Sequence, residues 1–277
     1  MRIMASRRRA IRDGLSVAGV VVLIWFFVIV GPSGRGYDAF AYWDVRLDDL
    51  YGRSFGQLTE FGAFRYSPPI AFFFAPFHAL PFEAFYWMFT ALQVAALVWM
   101  ARELTLAVCA FVAVPMTLYQ GNVDILIALL IVVGMRKSQA WAIPTLLKLT
   151  PIIGLTWFAV RREWRSLAIG LAVLIVIAGL SAIVRPDLWS GYLRVLADNA
   201  GADPHGVPIP LVVRIPAALL IVALAARTDR PWLVAVAITL CQPSLSIRSS
   251  SILVAAVPLW RASHPTSSAA RSAEVHP

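Results

Sequence analysis

Long apolar runs, punctuated by short arginine clusters, decide what this chain can fold into. No charged side chain interrupts Gly14–Gly31, Ala84–Met100 or Leu167–Val184. Each run approaches or reaches the roughly 17–25 residues with which an α-helix crosses the hydrocarbon. The chain is 60% hydrophobic and 14% charged, against ~45–50% and about 25% for a soluble domain. Its mean hydropathy is +0.75. No segment shows the alternation of a membrane barrel. The expected fold is therefore an all-α polytopic membrane protein, a bundle of about 8–10 transmembrane or re-entrant helices.

The net charge of +9 invites a nucleic-acid reading, but the arginines stand at run ends and at the N-terminus, as topology anchors do. Cys109 and Cys241 both lie inside apolar runs, which fits neither a disulfide framework nor a metal site. Arg7, Arg8 and Arg9 resemble the start of a signal peptide, yet the run continues to Val30 without a small-residue cleavage site. It reads as a first span with its N-terminus in the cytoplasm.

From that start the charges set an order of crossings. Ser67–Pro81, broken by Pro68, Pro69 and Pro76, is too short for an unbroken span. Ala84–Met100 runs inward, Leu104–Leu118 outward and Val123–Met135 inward. Ser138–Val160 has basic clusters at both ends and Pro144, Lys148 and Pro151 in its middle, so it is expected to be a hairpin of two half-helices with Lys148 at the tip. Leu167–Val184, Ile209–Ala226, Trp232–Leu240 and Ile252–Trp260 complete the set. The expected organisation is a single membrane domain over 1–262 with outer loops at 32–66 and 185–208. A disordered cytoplasmic tail is expected at 263–277. No repeat is evident.

The first loop carries the densest group of acids: Asp38, Asp44, Asp48, Asp49 and Glu60. A carboxylate whose pKa is raised by burial can take a proton from a sugar hydroxyl, which makes Asp38 and Asp44 candidate general bases. Six residues apart, they would face different ways on a helix. Asp38, nearest the first span, is the favoured one. Lys148 is one of only two lysines and is flanked by leucines. It either snorkels to the interface or binds an anionic headgroup such as a phosphate. Arg65 is an interface anchor or a phosphate contact. Gln120 and Asn122 either end a span, with Asn122 as a helix cap, or bind hydroxyls. His205 is a loop residue or a ligand.

Taken in order, these pieces resemble glycosyltransferase family 87, the polyprenol-phosphate-mannose-dependent mannosyltransferases of the GT-C architecture. The pieces are Tyr37-Asp38-Ala39-Phe40-Ala41-Tyr42, then Tyr66-Ser67-Pro68-Pro69 running to Pro81, Gln120-Gly121-Asn122, Lys148-Leu149-Thr150-Pro151, and Arg161-Arg162-Glu163-Trp164-Arg165. The chain departs from the pattern at Leu149, where a proline is usual, near Gly206–Pro210, where an Asn-Gln-Ser segment is not recognisable, and near Ser246–Ser249, which lacks the histidine often found there.

The resemblance implies Asp38 as catalytic base and Lys148 as a contact to a lipid phosphate, helped by Arg65 or Arg248. Asp44, Tyr42, Tyr66, Gln120, Asn122 and His205 are the candidate substrate contacts. It implies an inner-membrane enzyme that moves a sugar, mannose first among candidates, from a polyprenyl phosphate to a lipid or glycan hydroxyl at the outer face. No metal, other cofactor or nucleic acid is called for. The alternatives are a transporter or lipid-carrier flippase that uses the same broken helices to bind an anion, or an inactive relative.

Overall fold

The computed structural model describes residues 2–54, 61–198, 209–243 and 245–264. Fourteen α-helices run through them in chain order: α1 (Arg2–Ile24), α2 (Tyr37–Trp43), α3 (Pro68–Phe74), α4 (Phe82–Ala101), α5 (Thr105–Val108), α6 (Ala113–Gln120), α7 (Asp124–Gly134), α8 (Ala142–Leu147), α9 (Thr156–Val160), α10 (Trp164–Val184), α11 (Pro186–Asp198), α12 (Leu211–Arg227), α13 (Trp232–Leu240) and α14 (Ala256–Ser263). Turns of 3₁₀-helix join several of them, and no β-strand occurs among the described residues. The chain is an all-α polytopic membrane protein.

Three helical stretches of the described residues are long and apolar enough to cross a membrane: Arg9–Ile29, Phe82–Val108 and Trp164–Val184. A fourth is made if Ala113–Gln120 and Asp124–Gly134 are taken together, although they meet at 111°. The expectation of one crossing over Leu104–Leu118 is corrected. Helix α5 ends at Val108 and α6 begins at Ala113, with Pro115 in the first turn of α6, where a missing N–H costs nothing. Helix α5 packs against α1. Gly19 permits the approach, since a Cβ there would lie 1.9 Å from the Leu106 carbonyl oxygen.

The expected break in Ser138–Val160 is present and falls at Lys148, whose backbone is extended (φ −142°, ψ 112°) between α8 and the next 3₁₀ turn. Ser263 still belongs to α14, and the remainder of the expected tail from residue 265 lies outside the described residues.

At one end of the bundle ion pairs join helix ends to one another. Arg261 Nη2 donates to Glu103 Oε1 over 2.7 Å, and Arg161 reaches both Glu163 and Asp229 over 2.8 Å. Glu103 follows α4, Arg261 lies near the C-terminal end of α14, Arg161 and Glu163 lie between α9 and α10, and Asp229 lies between α12 and α13. The opposite end gathers the end of the first span, the bend between α6 and α7, the break at Lys148 and the 3₁₀ turn Arg248–Ala255.

Candidate active site

Tyr119, the penultimate residue of α6, fastens the first loop in place. Its carbonyl accepts from the Gly36 N–H (2.9 Å) and from Tyr86 Oη (3.0 Å). Its own hydroxyl donates to the Gly31 carbonyl (2.8 Å) and lies against that of Ser33. The chain that leaves the first span is thereby held on the end of α6, and α2 starts beside the bend. Gly121 makes the bend with a left-handed backbone (φ +69°), and a Cβ on it would sit 2.6 Å from the Ala39 Cβ. Only glycine allows both the turn and the close approach of α2.

This contact brings Asp38, in the first turn of α2, against the loop after α6. Asn122 Nδ2 donates to Asp38 Oδ2 over 2.9 Å. Arg248 Nη1 lies 3.4 Å from the same oxygen and donates to Gln120 Oε1 over 3.1 Å. Both donors address Oδ2. Neither donor engages Oδ1. The side chain is 18% exposed. Burial raises the Asp38 pKa above the ordinary aspartate value, while the Arg248 charge and the Asn122 hydrogen bond pull it down. A carboxylate so placed is a better proton acceptor than a free one, as a general base requires.

Asn122 serves twice. Its Oδ1 accepts from the Asp124 N–H over 3.1 Å, so it also satisfies a donor at the start of α7. One side chain thus bonds both Asp38 and the first backbone N–H of α7.

Lys148 lacks a partner only among its sequence neighbours. Its Nζ donates to Asp124 Oδ1 over 2.5 Å, across the bend from Asn122. The lysine reaches the site as half of an ion pair with a buried carboxylate. Ser67 Oγ donates to the Leu146 carbonyl over 2.7 Å, which ties the start of α3 to the last turn of α8, just before Lys148. Tyr66, just before, sets its hydroxyl 2.7 Å from that of Tyr42. Burial first, and the Asp38 charge second, push the Tyr66 pKa up, so it remains a neutral phenol beside the carboxylate.

Other candidates fall elsewhere. Asp44 ends α2 and pairs with Arg53 Nη1 at 2.7 Å and Arg46 Nε at 3.4 Å, with His78 Nδ1 at 3.8 Å. Asp38 and Asp44 thus face different partners, as their spacing predicts, and Asp44 is occupied by its arginines. Arg65 is half-buried and precedes Tyr66. His205 and Glu60 lie outside the described residues.

Asp124 is the residue that sequence reasoning passed over. It reads as the first polar position of an apolar run, yet a buried lysine demands an acid, and Asp124 is the sole acid between Glu103 and Glu163.

Asp38, Asp124, Lys148 and Arg248 together make a cluster of two carboxylates and two cations, set at one end of an apolar helix bundle. No curated protein and no solved structure matches the chain. The model of Glycosyltransferase family 87 matches residues 64–275, a stretch that holds Asn122, Asp124, Lys148 and Arg248 and to which the geometry above joins Asp38. The chain belongs to glycosyltransferase family 87 and is a membrane glycosyltransferase.

Proposed function

We propose that the protein moves a mannosyl group from a polyprenyl phosphate to the hydroxyl of a lipid or glycan acceptor, with inversion, at the outer face of the inner membrane. The observation that carries this reading is the Asp38 carboxylate, held through Oδ2 by Asn122 and Arg248, neither of which engages Oδ1. Asp38 takes the proton of the acceptor hydroxyl as its oxygen bonds to the anomeric carbon. The bond from that carbon to the phosphate oxygen breaks, and the electron pair leaves with the phosphate. Lys148 and Arg248 stabilise the charge that develops on this leaving group. A lipid-borne donor suits a chain whose described residues include three helices long and apolar enough to cross a membrane.

The bundle end that holds the cluster is assigned to the outer face, with both termini in the cytoplasm, because the arginine clusters of the sequence gather at the other end. His205 and Arg65 remain candidate substrate contacts, and the single membrane domain over 1–262 is part of the same proposal. The test is purified protein in proteoliposomes with polyprenyl-phosphate mannose and envelope glycolipids as acceptors. Transfer with the anomeric configuration inverted supports the reading. Binding of the lipid without transfer, or its movement between leaflets, would replace the enzyme with a carrier.

A further inference from the structure

The Asp124–Lys148 pair is asymmetric in a way that a purely structural ion pair need not be. The Asp124 side chain is 1% exposed and that of Lys148 is 20% exposed. The carboxylate is hidden, while the lysine side chain keeps some exposure. Asp124 Oδ1 receives Lys148, while Oδ2 is buried with no hydrogen-bond partner among the described residues. Asp124 is also tied to Asp38, because Asn122 accepts from its backbone N–H with one end of the amide and donates to Asp38 with the other. One side chain thus sets the spacing between the base and the acid that holds Lys148.

We infer that Asp124 is a positioning residue: it fixes the Lys148 ammonium at the mouth of the site, at a set distance from Asp38, so that the cation meets the phosphate of the donor already oriented. A lysine at the broken tip of a hairpin otherwise has four carbon bonds about which to turn, and it would follow the nearest water or lipid phosphate. Its backbone is extended rather than helical, so no helix restrains it. The Asp124 carboxylate is the restraint, and it is itself fixed by the first turn of α7 and by Asn122. Because the acid is buried, it neither competes for solvent cations nor meets the donor directly. Its effect on the reaction passes through Lys148.

The inference rests on the reading of Lys148 as the phosphate contact, and its test separates the two. Equilibrium binding of polyprenyl-phosphate mannose is measured on the detergent-solubilised full chain for the parent, Asp124→Asn, Lys148→Met and the double variant. Asp124→Asn keeps the shape and removes the charge, and donor binding is expected to weaken by about tenfold or more, the scale of one lost charged hydrogen bond. Since Asp124 acts only through Lys148, the double variant is expected to bind no more weakly than Lys148→Met alone.

A folded Asp124→Asn that binds the donor as the parent does would overturn the inference, as would losses that simply add. Asp124→Glu guards against a misfolded single variant: it keeps the charge but shifts the ammonium by a methylene, and severalfold weaker binding is expected. Parent-level binding in that variant also contradicts positioning. A parent that does not bind this donor at all removes the reading on which the inference stands, and the inference with it.

Discussion

Asn122 Nδ2 donates to Asp38 Oδ2 over 2.9 Å, a bond between residues 84 apart in sequence. It joins the loop after the first span to the bend between two later helices, and it fixes one oxygen of the carboxylate, Oδ2.

That bond makes Asn122→Asp a sharp probe. The substitution changes no volume but sets a second carboxylate within hydrogen-bond distance of the first. Like charges so close drive one pKa strongly upward, so Asp38 is expected to stay protonated further up the pH scale. Transfer at neutral pH should drop, and the acid limb of the kcat/KM profile should move to higher pH. A profile identical to the parent's would show that Asn122 does not touch the base.

The acid limb of the parent carries its own expectation. Burial raises the Asp38 pKa, and a base acts only when deprotonated, so activity should be lost on acidification above the pH at which an ordinary aspartate titrates. Arg248 opposes the rise. Arg248→Met removes that cation, and the limb should shift further toward alkaline pH, together with weaker donor binding. A limb that moves the other way would contradict the arrangement.

Gly121 is constrained twice, by its left-handed backbone and by Ala39. Gly121→Ala is expected to cost about 1–2 kcal/mol for the backbone alone, with more for the contact at 2.6 Å. Since Ala39 adjoins Asp38, activity should fall more steeply than thermal stability suggests. Paired melting curves and rates at a temperature well below the transition would show it.

Arg214 is buried in α12, and its guanidinium donates to the carbonyls of Ile209 (2.8 Å), Gln242 (2.6 Å) and Pro243 (3.1 Å). These bonds shape the chain that leads from α13 to Arg248. Arg214→Met strands several buried acceptors at roughly 1–3 kcal/mol each, so the melting temperature of the detergent-solubilised protein should fall sharply. An unchanged melting temperature would mean that those carbonyls find other donors.

Much of this was legible in the sequence. The long apolar runs gave the class, the prolines around Lys148 gave the break, and the position of Asp38 after the first span favoured it over Asp44. Partnerships were harder to read. Asp124 looks like the opening of a span, and its partner Lys148 lies 24 residues away beyond a helix and a 3₁₀ turn. Local pattern does not report that pairing. The crossing expected over Leu104–Leu118 failed for a related reason: its hydropathy fits a span, but α5 ends at Val108 and a new helix starts at Ala113.

The proposed sidedness is checked by single cysteines at exposed positions, in a background free of Cys109 and Cys241. Asp48→Cys and Ser190→Cys should react with an impermeant thiol reagent added outside cells, whereas Gln139→Cys and Thr228→Cys should react only after lysis. The reverse pattern would turn the bundle over.

The account stands most directly on the turnover of Asp38→Asn. The amide keeps size and hydrogen bonding while it removes the base, so mannosyl transfer from the polyprenyl-phosphate donor is expected to fall by ~10²–10⁴-fold, with donor binding close to that of the parent. An Asp38→Asn protein that transfers the sugar as fast as the parent would show that the base lies elsewhere, and the central claim would be wrong.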